Sequence, residues 1–159
     1  MRPYSKTQII LHWAVALLIG LQFLQSDYIG AAWRATKRGQ EVAFDPLVLA
    51  HVAGGVLVLV LMLWRLVIAL RSGPVAVVAG TTPMMALAAK AAHWGLYLVM
   101  VLTAVSGLGA WFGMIELAGE VYEILTSAII ALVGLHVAAA IYHQFYLKDG
   151  LMLRMSLRK

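Results

Sequence analysis

Five histidines, His12, His51, His93, His136 and His143, lie in stretches that are otherwise almost wholly apolar. An ionisable ring in hydrocarbon costs free energy, so in a membrane it normally holds a cofactor, relays a proton or bonds a partner helix. Imidazole is also the usual protein ligand of haem iron. A haem with both axial positions filled needs two imidazoles, from different helices at compatible depth. By depth, His12 has such a partner in His93, His136 or His143. His136 and His143 share a helix face and differ in depth by about 10 Å. Depth alone slightly favours His143.

The elements that position these rings are four charge-free or nearly charge-free stretches: 7–26, 46–70 (interrupted only by Arg65), 91–115 and 124–147. A helical span needs about 20 apolar residues, and all four qualify. Open sheet edges cannot face lipid, which excludes strands. The expected architecture is all-α, a four-transmembrane-helix bundle forming a single domain over 1–159. Residues 27–45 read as an external loop with an interfacial helix. Residues 71–87 contain the helix breakers Gly73, Pro74, Gly80 and Pro83. Residues 116–123 hold Glu116, Glu120 and Glu123.

Composition agrees. The chain is 63% hydrophobic and only 12% charged, the signature of an integral membrane protein. Cysteine is absent, which excludes disulfides, iron–sulfur clusters, c-type haem attachment and zinc–thiolate sites. The net charge of +5 does not point to nucleic acid, because the basic residues flank apolar segments. Arg2, Lys6, Arg65, Arg71, Lys90, Lys148, Arg154, Arg158 and Lys159 fall on one side of the spans, and Arg34, Lys37 and Arg38 on the other. The positive-inside rule therefore places both termini in the cytoplasm. The basic, then apolar, start resembles a signal peptide, but 7–26 is long for one, contains His12 and Gln22, and has no clear small-residue cleavage site, so it reads as a retained span.

Other residues have competing readings. Gly20, Gly54, Gly55, Gly107 and Gly134 let either a flat macrocycle or a neighbouring helix approach closely; Gly55 and Gly20, one and two turns after a histidine, lean towards haem. Trp13, Trp94 and Trp111 read as interface anchors, and methionine as core filler. His93 reads as bonding a neighbouring helix or a haem propionate before ligating iron, and His143, near the interface, as a propionate or quinone contact or as without function. The cluster Arg34, Lys37 and Arg38 is either a solvated face or a positive funnel for a small anion. Lys148, Asp149 and Arg154 read first as anchoring residues, with propionate or quinone contact as the alternative.

The segments YSKTQIILHW, PLVLAHVAGG, HWGLY and GLHVAAAIYHQFYLKDGLMLRM resemble the bacterial cytochrome b561 family, and more widely the cytochrome b subunits of formate dehydrogenases and nickel hydrogenases. The resemblance covers nearly the whole chain. It implies a four-helix bundle in the bacterial inner membrane holding up to two b haems. It pairs His12 with His136 as axial ligands of the cytoplasmic-side haem, against the depth preference for His143. It also implies an outer haem on His51, whose family partner lies fourteen residues before the GLH histidine, about 21 Å along the helix. Here that position is Tyr122. Three outcomes stay open: tyrosinate ligation, a five-coordinate haem on His51, or a single haem.

The resemblance thus implies membrane electron transfer by haem b to a quinone such as ubiquinone, with superoxide or another small reductant as donor. One rival is an anchor subunit relaying electrons for a partner redox protein. Another is a haem-free bundle with proton-relay histidines, which the absence of Asp and Glu from the spans disfavours.

Overall fold

The computed structural model describes residues 4–72, 78 and 80–157. Five α-helices follow one another: α1 (Lys6–Leu24), α2 (Ser26–Lys37), α3 (Pro46–Ser72), α4 (Pro83–Gly113) and α5 (Glu116–Tyr142). All except α2 belong to helices long and apolar enough to cross a bilayer. α5 continues as a π-helical turn (His143–Leu147), and a short 3-10 helix (Leu151–Met155) follows. The described residues contain no strand, so the all-α, four-span expectation holds.

Helix starts follow from local chemistry. Ser5 caps α1 through a reciprocal pair: its hydroxyl accepts from the Gln8 N–H at 3.2 Å, and the Gln8 side chain accepts from the Ser5 N–H at 2.9 Å. At α3 the Asp45 carboxylate accepts from the Leu47 N–H at 2.7 Å.

Two boundaries differ from the hydropathy reading. α4 begins at Pro83, not near Ala91, because Thr82 caps it and proline suits a first helical turn. α5 begins at Glu116, so the three glutamates lie on its first two turns and the link from α4 shrinks to Met114 and Ile115. Met114 makes the reversal in the left-handed region, φ 51°. Gly80, at φ 83°, does mark a turn. Gly73, Pro74, Arg2, Arg158 and Lys159 lie outside the described residues.

The mid-bundle core is Val15, Val58, Met62, Met100 and Ile129. Around it, large apolar side chains such as Leu17, Leu98, Ile124 and Leu135 are more than 60% exposed. Such a surface is stable only against lipid. The chain ends meet: Trp13 Nε1–H donates to the Met155 carbonyl at 2.9 Å, tying the C-terminal tail to the start of α1. We call this end of the bundle the termini end, and the opposite one, covered by α2, the far end.

Candidate cofactor sites

Three imidazoles gather at the termini end, His12 from α1, His93 from α4 and His136 from α5. The His12 and His136 ring centres lie 6.1 Å apart, and those of His93 and His136 5.4 Å apart. Arg65 reaches in from α3 with Nη1 3.3 Å from His12 Nδ1, its guanidinium 5.8 Å from the centre of the Tyr97 ring. His143 is not in the cluster. Its Nδ1 pairs with the Asp149 carboxylate at 2.5 Å.

Hydrogen bonding separates these rings. His93 Nδ1 lies 2.7 Å from the Ala89 carbonyl, which can only accept, so Nδ1 carries the proton and Nε2 keeps its lone pair. Arginine can only donate, so His12 Nδ1 accepts and the proton sits on Nε2.

The pair His12 and His136 fits a metal held between two imidazoles. Metal–nitrogen bonds of about 2 Å on each side place the ring centres about 6 Å apart, close to the observed 6.1 Å. Among the described residues no three metal-ligating side chains converge as they would on a bare ion. A cofactor held by two imidazoles would suit these rings better.

The far end is built differently. His51 is 8% exposed, and its Nε2 lies 3.2 Å from the Tyr122 hydroxyl of α5. Gln22 of α1 donates to the His51 carbonyl at 3.1 Å. That contact requires glycine at 54, where a Cβ would stand 2.3 Å from the Gln22 amide. Gly107 likewise admits the Tyr122 ring, which would come within 3.1 Å of a Cβ there. Two metal–ligand bonds need about 4 Å between their donor atoms. The 3.2 Å separation is instead that of a hydrogen bond. As placed, His51 and Tyr122 do not fit an iron between them.

A cavity of about 320 Å³ opens beside this pair, lined by residues of α2, α3, α4 and α5, including His51, Gly55, Tyr122 and Glu123. Gly55 has no atom within 4 Å of where a Cβ would stand. The same holds for Gly20, which lies on an exposed part of α1.

α2 contributes Trp33 to the cavity wall, and Lys37 Nζ sits 5.9 Å over the ring of Trp33. Arg34, Lys37 and Arg38 therefore stand at the end of the helix that covers this cavity. At the termini end, burial works to raise the Asp149 carboxyl, but hydrogen bonds from His143 and the Leu151 N–H outweigh it and hold the group below its usual range.

Sequence reasoning gave Arg65 only a topological role and read Gln22 only as an argument against a signal peptide; both contact histidines. A polar side chain within an apolar span was the available signal for each. Trp33 carried no signal, because its role depends on how α2 folds over the bundle.

A family profile described as prokaryotic cytochrome b561 matches residues 3–156. A protein of Cereibacter sphaeroides named "Cytochrome b562" is 35% identical over 152 residues, spanning 96% of this chain and 94% of that protein. A Yersinia pestis protein named "Probable superoxide oxidase CybB" is 29% identical, spanning 99% of this chain and 98% of that protein.

Proposed function

The chain belongs to the prokaryotic cytochrome b561 family of b-type haem proteins that transfer electrons in bacterial membranes, and from that premise we propose that it passes electrons from a small reductant to a membrane quinone. The observation that carries the proposal is the 6.1 Å spacing of two imidazoles from the first and last spans. His12 and His136 would hold haem b. Bound there, haem supplies a one-electron ferrous–ferric couple whose coordination need not change. Of the three outcomes left open at Tyr122, we favour the single haem, because His51 and Tyr122 are already committed to each other.

The surrounding residues have derivable tasks. Were His12 to hold the group through Nε2, its proton would sit on Nδ1, which could then not accept from Arg65. The Arg65 guanidinium would then be available to another acceptor. His93 keeps its bond to Ala89 and offers a lone pair beside His136. Lipid-facing leucines and isoleucines keep water from the ligands. The excess of Lys and Arg at the termini end orients that end to the cytoplasm, in the inner membrane.

Superoxide is the favoured reductant. The basic end of α2 supplies a field for a small anion at the far face, and the resemblance to the Yersinia pestis protein agrees with it. The test uses purified protein in lipid nanodiscs. Superoxide generated outside should produce the reduced haem absorption bands, and an added ubiquinone analogue should then discharge them. Bands that superoxide leaves unchanged would remove the donor, and the absence of any haem band would end the electron-transfer reading.

A further inference from the structure

The spans of this bundle pack in sequence, α1 on α3, α3 on α4 and α4 on α5. α1 and α5, which carry His12 and His136, lack packing of that extent. The tail, residues 148–157, crosses from one to the other at the termini end. Just after the π-helical turn, Lys148 and Gly150 both take left-handed backbone, φ 51° and 73°, and reverse the chain. His143 and Asp149 clasp that reversal, both side chains mostly buried, and Asp149 also accepts from the Leu151 N–H. The 3-10 helix then keeps Leu151, Arg154 and Met155 half-buried while Met152 and Leu153 are exposed. Arg154, like Arg65, lies near enough to Tyr4 to act on it electrostatically. The Met155 carbonyl accepts from Trp13, the residue that follows His12. The 3-10 helix packs mainly on the π-helical turn before it.

We propose that this tail is a strap that opens to admit haem b between α1 and α5 and then retains it, with His143–Asp149 and Trp13–Met155 as its two fastenings. The proposal rests on the haem reading above and adds the route by which the group comes and goes. With no cysteine in the chain, haem is held without a thioether bond and can leave by the way it enters. A short terminal segment opens locally at lower cost than a packed span. The strap is therefore the part of the α1–α5 seam that moves, and the two spans keep their place in lipid. Haem loss then scales with the fraction of time that the strap is open.

The test is the rate at which the purified, haem-loaded full chain in lipid nanodiscs gives up haem to excess apomyoglobin, followed by absorption. Asp149→Ala, which removes the clasp, should speed the loss by about tenfold or more, the effect of a hydrogen bond to a charged group. Trp13→Phe, which keeps an aromatic ring but removes the N–H, should speed it about fivefold. Both variants should start with wild-type absorption bands and wild-type haem per chain, which separates a faster exit from a damaged site. Thr36→Val removes a hydrogen bond within α2 at the far end and should lose haem at the wild-type rate. If Asp149→Ala does not reach the membrane, Trp13→Phe still decides. Wild-type rates in the fastening variants, or equal acceleration in Thr36→Val, overturn the strap and leave the electron-transfer reading standing. A wild-type chain without any haem band overturns both.

Discussion

The two ends of this bundle use the same residue type for different ends. At the termini end, imidazoles from α1 and α5 stand 6.1 Å apart, and neither is bonded to the other. At the far end, His51 is closed onto Tyr122 at 3.2 Å beside a cavity. The first arrangement leaves a gap of the size a metal needs; the second fills that gap with a hydrogen bond. A histidine in a membrane span is therefore not enough to read a cofactor. What decides is whether its facing partner leaves room and a lone pair.

The strongest way to break the contrast is to remove a ligand. His136→Ala should abolish the low-spin haem spectrum, whereas His143→Ala should leave it intact, because His143 is engaged with Asp149 away from the cluster. The reverse result would restore the depth argument for His143. Next in size, Tyr122→His should make the far end resemble the termini end by giving His51 a facing imidazole. Haem per chain should rise from one towards two, as pyridine haemochrome assay would show; an unchanged ratio would mean that residue 122 does not distinguish the two ends.

Arg65 offers a smaller, graded effect. Its positive charge near His12 favours the reduced, less positive iron, so Arg65→Gln should lower the midpoint potential by tens of millivolts. A potentiometric titration that shows no shift would place the guanidinium too far away or too well screened.

The smallest effect concerns the tail. The Asp149 carboxyl is held below its usual range, so its stabilising contacts are complete above the ordinary carboxylate value of about 3.9. They are lost as pH falls through the lowered one. Protection of the Leu151 amide, which donates to Asp149 at 3.0 Å, measured against its intrinsic exchange rate, should persist at neutral pH and be lost only in acid. pH-independent protection relative to the intrinsic exchange rate would show that the contact does not hold the tail.

The membrane spans were legible because lipid demands long apolar runs, and nothing else in the chain imitates them. The starts of α4 and α5 were not. Apolar runs mark the hydrocarbon slab, while Pro83 and Glu116 begin helices by local hydrogen bonding and charge beyond it. The histidines were visible as candidates, but their pairing depends on the rotation of each helix, which sequence alone does not specify. The family resemblance supplied His12 with His136. The bond between Arg65 and His12, the bond between His51 and Tyr122, and the placement of α2 over the cavity needed the packed bundle.

The central claim is that one end of the bundle holds iron and the other does not. The haem-to-polypeptide ratio of the native protein, purified from haem-sufficient cells, tests it most directly. A ratio near one is the predicted result; a ratio near two, or a colourless protein, would contradict it.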